Sequence, residues 1–321
     1  MKKLFYPVFG LILGSSFMTS CVEQKAQETP VYMFSYFVGN GEDGLHFASS
    51  KDGKKWEALN NGASFLAPEI GKDKLMRDPS ICQGADGTFH MVWTSGWWDK
   101  GIGYASSKDL VNWSKQINIP VMEHEPETKN TWAPELYFDS KDSTFYIFWA
   151  STIPGKHGEV ETSEREAGLN HRQYYIETKD FETFSETKMF FDPNFSVIDG
   201  AIINKDNKYW LITKNENSKP AEKNLRICFS DDMSKGFPTQ VSENISGKSW
   251  VEGPSPLLVG DSVYVYFDKY TEGKYGAIRS ANGENWEDVS DMISFPKGVR
   301  HGTAFTVTES FYNSFIESLN K

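Results

Sequence analysis

A five-fold repeat of short strands is the feature of this sequence that most restricts its fold. Each unit has a strand start rich in small residues, and in the first four units this start leads through a Gly or Asp turn into an alternating aromatic strand. The strand starts are Asp78-Pro79-Ser80-Ile81, Ala133-Pro134-Glu135-Leu136, Asp199-Gly200-Ala201-Ile202, Glu252-Gly253-Pro254-Ser255 and His301-Gly302-Thr303-Ala304. Alternating strands beside such turns indicate β-hairpins. No segment with helical periodicity stands out, so the pattern predicts an all-β protein.

A polar turn followed by an aromatic residue ends each unit. The turns and their aromatic residues are Ser50-Lys51-Asp52 with Trp56, Ser107-Lys108-Asp109 with Trp113, Thr178-Lys179-Asp180 with Phe184, and Ser280-Ala281-Asn282 with Trp286. In the fourth unit, Ser230-Asp231-Asp232 leads only to Phe237, which is a degenerate copy. Hairpins with an outer strand, repeated at roughly 50 to 70 residues, are typical of propeller blades.

The two ends of the chain predict how the ring closes. The first unit has a middle strand at Tyr32–Tyr36 and an outer strand at Leu45–Ala48, but no inner strand precedes them. The last inner strand, His301–Val307, has no blade of its own after it. We therefore expect a five-bladed β-propeller in which the C-terminal strand completes the first blade and removes the open edges. A β-sandwich would also contain short strands, but it would not explain the missing first strand.

The N-terminus has the pattern of an export signal rather than of a folded element. Met1-Lys2-Lys3 is basic, and the apolar stretch after it is too short to span a membrane. Met18-Thr19-Ser20-Cys21 resembles a bacterial lipobox, which predicts a lipoprotein signal peptide at 1–21 with Cys21 as the lipidated residue. A plain secretory signal is the alternative. We expect a flexible tether at 22–30, the propeller domain at 31–321, and a location at the bacterial cell envelope, anchored by lipid at the outer membrane or facing the periplasm.

Composition restricts the partners. Aromatic residues make up 15% of the chain, which suits strands and sugar-stacking surfaces. The formal net charge of -11 argues against nucleic acid and anionic polymers as partners. We expect a monomer that binds a neutral substrate and meets the membrane only through its N-terminal lipid. Cys82 and Cys228 lie in apolar strands and are predicted to be buried free thiols.

Three of the five strand starts carry an acid: Asp78, Asp199 and Glu252. Innermost strands line the central channel of a propeller, so we expect these carboxylates to cluster at one mouth of it. Each acid alone could be structural, because an Asp before Pro often just opens a strand. An acid in the same slot of three blades favours catalysis. Hydrolysis of a glycosidic bond with inversion needs one carboxylate to activate water and one carboxylic acid to protonate the leaving oxygen, about 6.5 to 9.5 Å apart.

The order of these motifs resembles glycoside hydrolase family 43. The motifs that carry the resemblance are Arg77-Asp78-Pro79, Trp132-Ala133-Pro134-Glu135, Ile198-Asp199-Gly200, Glu252-Gly253-Pro254 and Arg300-His301-Gly302. The resemblance implies a five-bladed catalytic propeller of arabinofuranosidase or xylosidase type. It implies that Asp78 is the general base, Glu252 the general acid, and Asp199 the residue that orients and tunes the acid. His301 would be the axial histidine, which could face a water or a structural calcium ion in the channel. No cofactor is required.

Further residues near the strand starts could bind substrate. Arg77 could hold a sugar hydroxyl or pair with an acid to keep it ionised. Trp132 and the Trp97-Trp98 pair could stack on a sugar ring, although a core role is an equal alternative for the tryptophans. Glu135 could contact substrate or only a backbone amide, and His301 could also contact substrate. His171 could reach the pocket, but we expect it on the surface. The long segment 154–169 interrupts the third blade and could shape the site.

The sequence therefore predicts an inverting exo-glycoside hydrolase that acts on oligo- or polysaccharide. The favoured product is a terminal α-L-arabinofuranose from plant-type polysaccharide or glycoprotein side chains. Alternatives are a β-xylosidase, an exo-β-galactosidase, an endo-arabinanase, or a non-catalytic glycan-binding lipoprotein at the surface. Related propellers with a retaining mechanism carry an Asn-Asp-Pro-type motif in the first unit, and Tyr36-Phe37-Val38-Gly39-Asn40 does not have one. This departure disfavours retention.

Overall fold

Five antiparallel sheets are arranged as the blades of a propeller. The structure is a computed structural model, and it describes residues 1–4 and 29–320. Blade I has the order β19-β1-β2-β3, blade II consists of β4 to β7, blade III of β8 to β11, blade IV of β12 to β14, and blade V of β15 to β18. The strands are β1 Pro30–Tyr36, β2 His46–Ser50, β3 Glu57–Ala58, β4 Arg77–Gln83, β5 Phe89–Thr94, β6 Ile102–Ser107, β7 Ile117–Ile119, β8 Trp132–Asp139, β9 Thr144–Ser151, β10 Arg172–Thr178, β11 Lys188–Phe191, β12 Val197–Lys205, β13 Lys208–Asn215, β14 Asn224–Ser230, β15 Glu252–Val259, β16 Ser262–Lys269, β17 Lys274–Ser280, β18 Glu287–Asp288 and β19 Gly302–Thr308. The predicted all-β propeller is confirmed.

The hydrophobic core is divided among the five interfaces between neighbouring blades. Strand β1 illustrates why, because successive side chains of a strand point to opposite faces. Val31 and Met33 pack into the cluster between blades I and II, whereas Tyr32 and Phe34 pack into the cluster between blades I and V. The other three interfaces hold one cluster each. Each central strand is therefore apolar on both faces, which explains the high aromatic content.

Strand β19 closes the ring as expected. It pairs with β1 along the whole strand, from Pro30 opposite Thr308 to Tyr36 opposite Gly302. The two backbones approach closely at Gly302, where an added Cβ would lie 1.7 Å from the carbonyl oxygen of Ser35. Only glycine fits there. The N-terminal and C-terminal parts of the propeller are thus joined in one blade.

The polar turns fix the outer edges of the blades. The Asp109 carboxylate accepts hydrogen bonds from the amides of Val111 and Asn112, at 2.9 and 2.7 Å. Asp52, Asp180 and Asn282 each accept two amides in the same way at their own turns. These side chains satisfy backbone groups that no strand pairs. In the degenerate fourth unit Asp232 accepts one amide, from Ser234, and blade IV has three strands.

One helix corrects the expectation of a chain without helical segments. Helix α1, Glu309–Leu319, follows β19 directly and is capped by the Thr308 hydroxyl, which accepts from the amide of Phe311. Phe315 is buried against Phe47 and Phe65 at the interface of blades I and II. Within the described residues, short 3-10 helices occur at Asn60–Gly62, Glu164–Glu166, Met233–Lys235 and Ser290–Met292.

The predictions for the N-terminus, including lipidation of Cys21, lie outside the described residues. Within the described part of the chain, no helix is long and apolar enough to cross a membrane. Cys82 and Cys228 are free thiols, as predicted. Cys228 is buried and Cys82 is partly buried.

Candidate active site

A β-bulge near the start of four inner strands places the functional side chains. The register of β4, β8, β12 and β15 against the next strand shifts at this point. The bulged residue has positive φ in each blade and is Asp78, Ala133, Asp199 or Gly253. This backbone conformation is uncommon for residues other than Gly, Asn and Asp, and it is found where a strand must redirect a side chain. The conformation of Asp78 and Asp199 is therefore built into the fold.

The expectation that the three acids share one slot is wrong for Glu252. Asp78 and Asp199 are bulged residues, whereas Glu252 comes one residue before the bulged Gly253. Glu252 therefore corresponds in register to Arg77 of blade II, which also precedes its bulge. The offset gives the glutamate a different direction of approach to the pocket from that of the two aspartates.

One pocket nevertheless receives all three acids. Its cavity volume is about 340 Å³, at the lower end of the range for small-ligand sites. Blades II, III, IV and V and the end of the β18–β19 connection contribute to its wall. The lining residues include Arg77, Asp78, Thr94, Trp97, Trp98, Trp132, Ala133, Arg165, Glu166, Leu169, His171, Ile198, Asp199, Lys214, Glu216, Trp250, Glu252, Tyr270, Arg300 and His301.

Asp78 is held as a carboxylate. Its Oδ2 accepts a hydrogen bond from the Thr94 hydroxyl at 2.9 Å, and its Oδ1 lies 3.4 Å from Nδ1 of His301. Burial opposes ionisation of Asp78, but His301, the charge of Arg77 and the Thr94 hydroxyl outweigh it and lower the pKa to about 2. A buried carboxylate that is ionised at all working pH values can serve as a base.

His301 is the cation that accompanies Asp78. Burial disfavours its protonation, yet the hydrogen bond to Asp78 and the charges of Asp199, Asp78 and Glu135 raise its pKa to about 9. Its ring packs directly on Gly253, where an added Cβ would lie 2.4 Å from Cγ of the histidine. Glycine is therefore favoured at position 253 for two reasons: its φ is 62°, and a side chain would collide with the imidazole. His301 is 8% exposed.

Asp199 and Glu252 form a second acidic group with shared cations. Asp199 accepts a hydrogen bond from the amide of Gly253 at 3.0 Å, so it holds the backbone next to Glu252. Burial raises the pKa of Asp199 to about 6, against the charges of His301 and Lys214. Glu252 accepts a hydrogen bond from Arg300 at 2.9 Å and lies 3.5 Å from Nζ of Lys214.

Arg300 also binds Asp268, the residue opposite Glu252 in the β15–β16 pair, at 2.6 Å. Burial raises the pKa of Asp268 to about 6, and the charge of Glu252 acts in the same direction against Arg300. Asp199, Glu252 and Asp268 thus lie near two cations, Lys214 and Arg300. The excess of carboxyl groups favours retention of a proton in this part of the pocket.

A buried chain of alternating charges connects the pocket to the inserted segment 154–169. Lys214 pairs with Glu216 at 2.7 Å, and Glu216 pairs with Lys223 at 2.7 Å. Lys223 then binds both carboxylate oxygens of Glu166, at 2.8 and 2.9 Å. Both lysines are 2% exposed. The insertion lies between β9 and β10 of blade III, as expected, and this chain fixes its 3-10 helix, Glu164–Glu166, at the pocket wall.

Aromatic side chains form the outer part of the pocket. The guanidinium of Arg77 lies 4.4 Å from the centre of the Trp97 ring and donates to the Asn40 side chain at 2.8 Å. Trp132 donates through Nε1 to the carbonyl of Trp97 at 2.7 Å. Trp97, Trp98 and Trp250 line the pocket with 37%, 56% and 43% of their surfaces exposed, which is unusual for tryptophan and suits a sugar-stacking surface. Trp250 was not among our candidates.

Glu135 lies inside the channel rather than among the pocket-lining residues. It is 9% exposed, its Oε2 lies 3.5 Å from the Thr303 hydroxyl, and burial raises its pKa to about 8. No group of three or more His, Cys, Asp or Glu residues in the described ranges could hold a metal ion. A structural calcium ion in the channel stays a prediction.

Several site residues were missed by sequence reasoning or misplaced by it. Lys214 and Asp268 are charged residues near the ends of aromatic strands, directly opposite the strand starts in the hairpin register. This position is evident only once the strand register is known, so the residues around them carry no clear signal in the sequence. Arg300 was noted only as part of a motif. His171 was expected on the surface, but it is 1% exposed and lines the pocket.

Comparison with known proteins gives the family. The model of a "Probable glycosyl hydrolase domain", related to glycoside hydrolase family 43, matches residues 28–313. The chain belongs to this family. An α-L-arabinofuranosidase from Bifidobacterium longum subsp. longum is 26% identical over 204 residues, which cover 55% of this chain and 18% of that protein. The match thus spans less than a fifth of that relative's length.

Solved structures of family 43 share the fold. An α-L-arabinofuranosidase from Lactobacillus brevis superposes with a TM-score of 0.54 at 15% identity, covering 67% of this chain and 72% of that one. The GH43B protein of a Bacteroides ovatus xyloglucan locus gives 0.51 at 21% identity, covering 69% and 41%. An exo-β-1,3-galactanase from Phanerochaete chrysosporium gives 0.51 at 14% identity, covering 72% and 51%. At these identities the likeness concerns the fold alone.

The buried His301 predicts a loss of stability in mildly alkaline solution. Its stabilising contribution is complete below the ordinary pKa of 6.5 and is lost as the pH rises through about 9. The shift is worth on the order of 3 kcal/mol. The free energy of unfolding in urea should therefore fall between pH 6.5 and 9 in the wild type, and His301→Gln should remove most of this fall.

Glu135→Gln is the matched control for that measurement. Because the pKa of Glu135 is raised in the folded protein, the free energy of unfolding falls as the pH rises from about 4.5 to 8. This variant should lose that lower part of the pH dependence and keep the fall near pH 9. A wild-type free energy of unfolding that stays constant from pH 6.5 to 9 would contradict the assigned pairing of His301.

Proposed function

We propose that this glycoside hydrolase is an inverting exo-enzyme with Asp78 as general base and Glu252 as general acid. The main support for the proposal is that Asp78, Asp199 and Glu252, from three blades, line one pocket. Cations lie near these acids in the pocket. A pocket built only for binding would gain little from one buried and two largely buried carboxylates, because removing charge from water is costly.

Asp78 activates the water in this mechanism. Its low pKa keeps the carboxylate free to accept a proton, while Thr94 and His301 hold its two oxygens in place. The water adds to the anomeric carbon as the bond to the leaving oxygen breaks, and its proton passes to Asp78. The positive charge that develops on the sugar is stabilised by the surrounding carboxylates.

Glu252 supplies the proton to the leaving oxygen. Lys214 and Arg300 contact its carboxyl group, and Asp199 and Asp268, whose pKa values are raised by burial, lie near the same two cations. Asp199 therefore has two functions, which are to hold the Gly253 amide beside Glu252 and to supply negative charge that keeps a proton nearby. A sugar hydroxyl that binds Lys214 or Arg300 would weaken the contact between that cation and Glu252.

The favoured substrate is a terminal α-L-arabinofuranose on plant-type polysaccharide or glycoprotein side chains. The name of the Bifidobacterium relative supports this choice over a β-xylosidase or an exo-β-galactosidase. The inserted segment, fixed through Glu166 and Lys223, narrows the pocket on one side and supports exo action over an endo-arabinanase. We also propose that a lipid on Cys21 anchors the protein at the cell envelope.

A panel of nitrophenyl glycosides tests the proposed function. The purified full chain is expected to hydrolyse the α-L-arabinofuranoside and to leave the β-D-xyloside and β-D-galactoside largely intact. Asp78→Asn and Glu252→Gln should each lower kcat by at least about 100-fold, as loss of a general acid or base does. Silence of the wild type on every sugar, or full activity of either variant, would refute the proposal. Binding of glycan without turnover would instead support the non-catalytic lipoprotein.

The two buried lysines provide a second test. Lys214→Met removes one of the two cations that contact Glu252, so kcat/KM should fall in this variant by at least about tenfold. Lys223→Met is the matched control, because Lys223 is equally buried and also bonds to Glu216, but its other partner is Glu166 rather than Glu252. The control should stay within about threefold of the wild type. Equal losses in the two variants would show that the contact between Lys214 and Glu252 is not needed for turnover.

A further inference from the structure

One histidine of the pocket has no part in the mechanism above. His171 precedes β10, directly after the insertion, and lines the cavity although it is 1% exposed. Its ring lies 5.0 Å from the Trp132 ring, at an interplanar angle of 36°. A buried imidazole beside an aromatic wall needs hydrogen-bond partners for its two nitrogen atoms.

The hydrogen bonds of His171 define its tautomer. The Ser196 hydroxyl oxygen accepts the backbone amide of His171 at 3.1 Å and lies 3.3 Å from Nδ1. Among the described residues this hydroxyl makes no other hydrogen bond, so its own proton goes to Nδ1. The imidazole therefore accepts at Nδ1 and carries its proton on Nε2. That Nε2 is buried and bonds to no group in the described part of the chain.

Burial keeps the His171 ring neutral. Burial lowers the pKa of His171 to about 4, and the cations Lys223, Lys214 and Arg172 act in the same direction, against Glu216. The Nε2–H group is thus a donor of constant charge at every pH at which the enzyme would work. A buried donor without an acceptor costs about 1 to 3 kcal/mol, a cost that a ligand can remove.

We propose that Nε2–H of His171 donates a hydrogen bond to a hydroxyl oxygen of the sugar bound in the pocket. The inference rests on the proposed function for the identity of the ligand, a neutral monosaccharide unit. Because this nitrogen is covered, a side chain of the pocket wall has to shift slightly for the hydroxyl to reach it. His171 is therefore a positioning residue, and it discriminates against sugars that lack a hydroxyl at this place, since the donor would then stay unpaired.

Binding of free monosaccharides tests this role without requiring turnover. L-arabinose, D-xylose and D-galactose are titrated into the full chain, with tryptophan fluorescence and calorimetry as readouts. The wild type is expected to bind one of them. His171→Phe, which keeps a ring beside Trp132 but has no donor, should weaken that affinity about 10- to 100-fold. His171→Gln, whose amide nitrogen can replace Nε2, should stay within about threefold of the wild type.

Two further readouts separate this role from a structural one. The melting temperature of His171→Phe should stay close to that of the wild type, because the variant removes the unpaired Nε2–H donor but leaves the Ser196 hydroxyl without its acceptor. The ratio of wild-type to variant affinity should be constant from pH 5.5 to 8, because the ring does not titrate there. If His171→Phe does not fold, His171→Leu replaces it.

Three outcomes would overturn the inference: unchanged affinity in His171→Phe, equal losses in both variants with a lower melting temperature, or no binding of any of the three sugars to the wild type. Failure of the proposed glycosidase activity alone would give a different set of results from failure of the His171 inference. In that case the nitrophenyl panel is silent while monosaccharide binding still depends on the donor at position 171.

Discussion

The pocket depends on the pairing of opposite charges that are buried together at one mouth of the propeller channel. His301 pairs with Asp78, and Lys214 and Arg300 contact Glu252. Three carboxylates could not be kept in this small volume without these cations, because each would be desolvated and repelled by the others. Removal of a single partner leaves a charge uncompensated. The site is therefore a unit whose members are interdependent.

The propeller makes this pairing feasible because it brings distant strand starts to a common axis. Closure of blade I by β19 places His301 next to Gly253 of blade V and within reach of Asp78 of blade II. The bulges then turn Asp78 and Asp199 into the pocket. The apolar clusters between blades hold the five sheets at fixed angles, so the acids need no flexible loop to meet. The insertion in blade III is a long loop at the pocket, and buried lysines tie it to the wall.

The fold and the set of acids could be predicted from the sequence because both follow from repetition. Alternating apolar strands, Gly and Asp turns and an absent first inner strand together indicate a closed ring of five blades. The offset of Glu252 could not be predicted, because a bulge is a feature of backbone register and leaves no clear mark in the residue order. The burial of His171 depends on Trp132 and Ser196, which are distant in sequence. Helix α1 is short, and its stability comes from the packing of Phe315 rather than from a strong local pattern.

The cations of the pocket are the other feature that could not be predicted from the sequence. Lysines in aromatic strands are usually exposed, and the sequence around Lys214 and Lys223 does not distinguish them from surface lysines. Only the three-dimensional register brings Lys214 opposite the strand start that carries Asp199. The chemistry of the site therefore depends on residues that a motif search passes over.

The stereochemistry of hydrolysis is the measurement that tests the central claim most directly. Proton NMR of the anomeric signal, recorded before mutarotation, identifies the configuration of the first sugar released from the substrate that the enzyme accepts. A water activated by Asp78 on the face opposite Glu252 predicts a product of inverted configuration. A product of retained configuration would contradict the account, because it would require a covalent sugar–carboxylate intermediate.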